Sequence, residues 1–403
     1  RPHRTHGTRR PALRQPRWLP ALSPLVAALM AVWPLESLAQ RAARPVAPPR
    51  DAVPVPATTW RVQGTGAAAP QTSTNARGGR DMRIEQTSRR AIYQWQSFDI
   101  GASSGVHFQM PGTDGSALNR IGRGAAPSAI FGSLTSNGSV TLLNGAGILF
   151  GPTAQVNVGS LIASTLNLGD DDFLSGLTNG IYGTAPSFFR DDAGLGTPAV
   201  GAGFVEVQAG ANLSTAAGGR VFLFAEDVSN AGRISTPQGQ TVLAAGDKLH
   251  LQDPTRETLY ASEVNPAIPA LRGLLVEVEG AGRVRHDGVI DTPRGNATLV
   301  GLAVNVSGRI SATTSVAENG SVLLLARSGA GASFNTTGTL VKQATQGGTL
   351  VLEPGASVQI TPDATLVGGA LPTSSDNAGF TRSRIELAGQ AITLGDDTLV
   401  HAP

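Results

Sequence analysis

The densest chemistry in the sequence is carboxylate. Asp170-Asp171-Asp172 and Asp191-Asp192 are the two runs of adjacent acids in the stretch 170–200. Acids gathered on one face serve general acid–base cleavage of polysaccharides, and several carboxylate oxygens together suit Ca²⁺. Both runs, however, lie among Gly, Ser and Asn in a segment without strand periodicity. A solvated loop is the better reading, with a weak Ca²⁺ site as the alternative. The six histidines (His3, His6, His107, His250, His286 and His401) are scattered. Only His3 and His6 are close, and no zinc spacing exists. No serine stands in a Gly-x-Ser-x-Gly elbow, and no Walker or dinucleotide motif is present. The residues therefore predict no catalysis, no metal and no cofactor. Six Asn-x-Ser/Thr sequons, at Asn137, Asn212, Asn296, Asn305, Asn319 and Asn335, are what chance gives in a chain this rich in Asn, Ser and Thr.

The elements that would have to position any site are strands. Hydrophobic residues make up 40% of the chain but aromatics only 5%, so the core is Val, Leu, Ile and Ala. Fifty glycines, with abundant Thr, Ser and Asn, favour strands and turns over helices. The stretch "SVTLLNGAGILFGPTAQVNVGSLIASTLNL" (139–168) alternates for most of its length and carries no charge. Val140, Leu142, Ile148, Phe150, Val156, Val158 and Ile162 share one parity and are expected to face inward. Asn144 and Asn157 are expected at corners of neighbouring turns, where Asn side chains stack in ladders. Asn137-Gly138, Asn144-Gly145 and Asn319-Gly320 also read as plain turn chemistry.

A loose repeat follows residue 200. Gly219, Gly239, Gly295, Gly320 and Gly348 open comparable short strands, each followed by a polar step and a second strand such as "GRIS". The longest interval, from Gly239 to Gly295, is read as an insertion at 252–272 plus two turns. A short period built only of strands and tight turns predicts a solenoid. The expected fold is all-β: a right-handed parallel β-helix with extra-helical hairpins and loops.

The beginning of the chain reads differently. Six arginines precede residue 18, and "LPALSPLVAALMAVW" (19–33) is apolar but too short to span a bilayer. Ser37 and Ala39 then supply a small-x-small step, which predicts a secretory signal peptide over 1–39 with Gln40 as the mature N-terminus. Those arginines account for the net charge of +2, and the remainder is slightly acidic, so no basic face suggests nucleic acid. No later stretch is apolar enough for a membrane-spanning helix. The chain has no Cys, as suits passage through an oxidising periplasm in an unfolded state. Residues 40–82 are expected as a Pro/Ala/Gly-rich linker and the start of a cap, and 311–403 as further coils.

"SRRAIYQWQSFDIG" (88–101), "SALNRIGRG" (116–124) and "SAIFGSLTSNGSVTLLNGAGILFGPTAQVNVGSLIASTL" (128–166) resemble a known family. It is the N-terminal secretion (TPS) domain of filamentous haemagglutinin-type exoproteins of two-partner secretion systems. The resemblance runs over about residues 60–310 in the family's order, and 83–310 is assigned to that domain. It implies a β-helix that serves as the address for a cognate outer-membrane β-barrel transporter with POTRA domains. The residues implied in recognition are Asn119, Arg120, Asn144, Gly145, Asn157, Ser164 and Thr165. Where the family shows Asn-Pro-(Asn/Ala)-Gly, this chain has Asn144-Gly145-Ala146-Gly147, without the proline. The resemblance further implies a secreted or cell-surface adhesin, monomeric, exported through the periplasm after a Sec signal, with a host-surface receptor or glycan as its second partner. The competing reading is a β-helical autotransporter-like passenger or polysaccharide-active protein.

Overall fold

Short uncharged strands with apolar residues on both faces cannot remain as a sheet with one wet side. Runs of this kind are stable when both faces are covered: the chain covers the inner face by coiling and the outer face of one sheet with an added antiparallel sheet. The computed structural model describes residues 45–402 apart from 62–65, 67, 123, 177–186, 191–202, 253–273, 315–320, 329–332, 335–339, 342–345 and 363–383. The expected signal peptide, with Ser37, Ala39 and Gln40, lies outside the described residues, as do Asp191-Asp192, Asn319 and Asn335.

Three long sheets form the sides of the coil, with eleven, eight and eleven strands. One turn runs through Ser139–Leu143 in the first sheet, Ile148–Phe150 in the second and Gln155–Val158 in the third. The chain then enters Ser160–Ser164, which lies parallel on Ser139–Leu143 with Ser160 opposite Ser139. Repetition of this step gives a parallel β-helix, wound with the right-handed crossover that parallel strands take. The β-helix expected from the sequence is thus the fold found.

Inside runs one core. In the first sheet Ala91, Ala117, Val140 and Leu161 stack in one inward row, and Tyr93, Asn119, Leu142 and Ala163 in the next. The scarce aromatics gather in the first coils. Trp60 stacks on Tyr93 with ring centroids 5.3 Å apart, and Trp95 meets Phe98 edge-on at 5.3 Å. Trp60 belongs to Val55–Arg61, which pairs antiparallel with Arg90–Ser97, while Gln71–Thr74 pairs antiparallel with Arg80–Glu85. Both added strands fall in the stretch expected as linker and start of a cap.

A second, smaller core lies outside the coil. Asn167–Leu168, Ser187–Phe189, Lys248–Gln252 and Leu275–Glu279 form an antiparallel four-stranded sheet. It covers the outer face of the first sheet, burying Ile92, Leu118, Leu143, Phe222 and Phe224 against Phe188, Leu249 and Val276. These are the expected extra-helical strands.

Three details differ from expectation. Ile162 points outward into this second core, while its neighbours Leu161 and Ala163 face in. The corner at Gly159 interrupts the alternation after Val158, so parity does not carry across it. The Gly239–Gly295 interval holds a single coil plus the hairpin, because Gln240–Ala245 and Asn296–Gly301 are adjacent rungs. Gly348 opens a strand of the second sheet, Thr349–Leu352, whereas Gly219, Gly239, Gly295 and Gly320 all precede strands of the first.

Candidate functional site

Asn144 ends the strand Ser139–Leu143 and begins the corner into Ile148–Phe150. Its backbone carbonyl accepts from Gly147 N at 3.1 Å, closing a four-residue turn. Its side-chain oxygen accepts from Ala146 N at 3.0 Å, the local bond that makes Asn a turn residue. Its amide nitrogen donates to Ala126 O and Ser128 Oγ, both at 3.0 Å. Its own N–H donates to Ser164 O on the next rung at 3.0 Å. Asn144 is therefore buried with its polar groups satisfied inside the fold.

The next corner sits directly on this one. Ser164 Oγ accepts from Leu166 N at 2.9 Å and donates to Leu166 O at 3.0 Å. Thr165 N donates to Phe224 O at 2.9 Å. A side chain at Gly203 would lie 2.9 Å from Thr165 Cβ and 3.0 Å from Gly145 O. Gly147 adopts φ +137°, and a Cβ there would fall 2.6 Å from the Phe204 ring. Asn144, Gly145, Ser164 and Thr165 thus form one packed corner. Ser128 and Gly203 complete it without a signal in the sequence, together with Gly147, the last residue of the Asn144-Gly145-Ala146-Gly147 motif. The Asn-x-x-Gly spacing at 144–147 was the available signal for Gly147.

Asn119 and Arg120 lie on Ser116–Ile121, in the same sheet. Asn119 faces into the coil, fully buried, accepting from Trp95 Nε1 at 2.9 Å and donating to Thr141 O at 3.2 Å. Arg120 faces out and clasps the excursion: Nε donates to Asn167 Oδ1 at 3.2 Å, and Nη2 to Leu168 O at 2.9 Å. It also pairs with Asp170 at 2.8 Å. Asp170-Asp171-Asp172, expected in a solvated loop, instead open the short helix Asp170–Ser175. Three acids at a helix N-terminus favour that turn electrostatically. Arg90 holds the other end of the helix, donating to Leu174 O at 2.9 Å. Among the described residues, no group of three or more His, Cys, Asp or Glu is placed to hold a metal.

Asn157 stands apart. It lies within Gln155–Val158 of the third sheet, exposed between buried Val156 and Val158, and so occupies no corner and no ladder with Asn144. Its rung partners are Thr135 and Ser214. The inward polar stack lies elsewhere. Asn230 and His286 are rung partners, and Asn230 Nδ2 donates to His286 Nδ1 at 3.2 Å. His286 Nε2 donates to Arg309 O at 3.1 Å. Burial holds the imidazole pKa down at about 4, against opposing pulls from the Arg309 carbonyl and Asp287.

The family model described as the TPS secretion domain matches residues 63–352, well over half of the chain. Two curated relatives are both named heme/hemopexin-binding protein and come from Haemophilus influenzae. One is 42% identical over 87 residues, covering 22% of this chain and 9% of the relative. The other is 40% identical over 90 residues, covering 22% and 10%. The matched region is thus about a tenth of the length of these relatives. Among solved structures, the crystal structure of the HMW1 secretion domain from Haemophilus influenzae superposes with a TM-score of 0.52 at 20% identity. It covers 84% of this chain and 88% of that one, and shows a shared fold.

Proposed function

This chain belongs to the TPS secretion domain family, and on that premise we propose that it is the address-bearing part of a two-partner exoprotein that acts outside the cell as an adhesin. Membership implies export by the two-partner route with a cognate outer-membrane transporter. On our reading the transporter's periplasmic POTRA domains take the segment 83–168 as an added strand, with backbone hydrogen bonds carrying the affinity. Asn119, Arg120, Asn144, Gly145, Asn157, Ser164 and Thr165 make up the address.

The observation that carries this reading is the fate of those side chains in the folded coil. The polar groups of Asn119, Asn144 and Ser164 are consumed by internal bonds, and Arg120 by the excursion. A partner can use these groups only while the coil is open. Apart from Asn157, which stays exposed, an address of this kind is legible in the unfolded chain and is erased by folding, which suits a cargo that must pass a pore extended and be let go outside. Uncharged Asn and Ser also shed water at lower cost than ions when a strand pairs.

The test is the ratio of secreted to periplasmic protein when variants are expressed beside the transporter. Asn119→Asp, Asn144→Asp and Asn157→Asp are each expected to strand protein in the periplasm. Replacing Asp170, Asp171 and Asp172 together by Asn is expected to leave export near normal. Asn157→Asp is the most telling variant. At an exposed position it should change stability by less than about 0.5 kcal/mol, so lost export there reports recognition and not misfolding. Normal export of all three Asn variants refutes the assignment.

A further inference from the structure

We infer that the folded chain binds an oligosaccharide in a shallow groove on the outer face of the third sheet, held by Arg83, His107, Gln109 and Asn157. The coil puts Arg83, His107, Thr135 and Asn157 on four successive rungs of one outward row. At about 4.8 Å per rung the row runs about 14 Å along the helix axis, close to the length of a trisaccharide. The groove over it is open to solvent and offers about 420 Å³.

The groups in the groove are preset. His107 Nδ1 pairs with Thr135 Oγ1 at 2.6 Å, which leaves Nε2 for a ligand. Gly105 keeps that nitrogen open, since a Cβ there would lie 3.0 Å from it. Asn137 forms a fixed wall, its amide bonded to Met110 N at 2.8 Å and Met110 O at 2.9 Å. Among the described residues, the carboxamides of Gln109 and Asn157 make no hydrogen bond within the protein.

The chemistry selects the ligand class. A phosphate polymer needs several cations, and here there is only Arg83, whose Nε already faces Glu85 at 3.0 Å. An apolar ligand needs an apolar lining, whereas this one is amide, imidazole and hydroxyl. A peptide strand needs a free sheet edge, and the rungs on this face are paired on both sides. Neutral amides and an imidazole that donate and accept in turn fit vicinal hydroxyls. The remaining guanidinium N–H groups of Arg83 fit a single carboxylate at one end. This inference draws on the proposed function only in that an exported chain meets glycans.

The test uses purified folded chain and no transporter. Cellotriose, chitotriose and a β1,4-linked trisaccharide with one terminal glucuronate at millimolar concentration are titrated, with binding followed by NMR shift changes and calorimetry. The trisaccharide with one terminal glucuronate is expected to bind tightest, about tenfold tighter than cellotriose, and Arg83→Gln should erase that difference. His107→Ala and Asn157→Ala are each expected to weaken binding about tenfold; the melting temperature should not change for exposed Asn157→Ala and should fall only slightly for His107→Ala, which loses the Thr135 bond. Failure of all three probes to bind overturns the inference, as does binding that neither substitution weakens. The export ratio of His107→Ala is read separately: near-normal export beside failed sugar binding sinks the groove and leaves the transporter reading standing.

Discussion

Gly147→Ala should cost the coil about 2–6 kcal/mol, and the cost should divide into two separable parts. Gly147 closes the Asn144 turn through its N–H and passes its carbonyl to Ser128 N at 2.9 Å. Its φ of +137° is a conformation that a residue with a Cβ rarely adopts, and forcing one there costs about 1–3 kcal/mol. The new methyl would also lie 2.6, 2.9 and 2.9 Å from three carbons of the Phe204 ring. Phe204 is buried, so the ring must shift within a packed site, a further cost of about 1–3 kcal/mol.

A double-mutant cycle with Phe204→Leu isolates the second part. The shorter side chain withdraws the ring atoms, so Gly147→Ala in that background should cost only the backbone share, about 1–3 kcal/mol. The coupling energy is then about 1–3 kcal/mol. Urea unfolding followed by circular dichroism gives each stability. Beyond the expected signal peptide the chain has only Trp60 and Trp95, both in the first coils, so fluorescence reports that end alone. Coincidence of the two probes establishes that the solenoid melts as one unit. Additivity within about 0.5 kcal/mol, or a Gly147→Ala variant as stable as the parent, would refute the packing argument.

Three further outcomes are expected. Gly145→Pro, which restores the proline of the family pattern at the second position of a closed turn, should stabilise by about 0.4–1 kcal/mol in the same urea titration; Gly145 is not among the positive-φ glycines. His286 has a folded pKa of about 4 against an ordinary 6.5, so the folded state binds fewer protons. The corresponding stability is present above about pH 6.5 and is lost as pH falls toward 4, by up to about 1.4 kcal/mol per unit; His286→Gln should flatten the melting temperature across that window. Gln238 holds φ +55° at a corner where the preceding coil has Gly218 at φ +79°, so Gln238→Gly should raise the midpoint, by about 0.5–1 kcal/mol after the glycine's own entropy cost.

The coil was legible because a parallel β-helix writes its core as local alternation. Val140, Leu142, Ile148, Phe150, Val156 and Val158 all face in. Alternation failed at Ile162 because a corner resets parity, and the outward residues after it are as apolar as the inward ones. That second apolar face exists only because a distant excursion covers it, a fact of tertiary contact that no local pattern records. Asn157 was misplaced for the opposite reason. Its flanking valines already put it outside, but its spacing from Asn144 suggested a corner. The polar residues were the least legible. Asn119 faces inward and Arg120 outward, and neither the bond from Trp95 nor the clasp on Asp170 follows from their neighbours in sequence.

The long-range partners of the Asn144 corner bear on when a chain with this address can let go of its transporter. Residues up to Ser164 supply the hydrogen bonds of Asn144 itself. The corner is packed, however, by Gly203 and Phe204, and Thr165 is fixed by Phe224 O from the strand Arg220–Ala225. Between them lies the whole excursion from Asn167 onward, whose first strand is held by Arg120. Asn119, Asn144 and Ser164 thus find their bonds by Leu166, Asn157 stays exposed, and Thr165 alone is fixed some sixty residues further on, as the separation of Ser164 from Phe224 shows. On the proposed reading, a chain that has emerged only as far as the excursion still displays Thr165 to its transporter. One that has laid down Arg220–Ala225 has fixed it. On the same proposal, folding of the next rung, driven by burial of Val221 and Leu223 in the core, closes this corner and helps give export its direction.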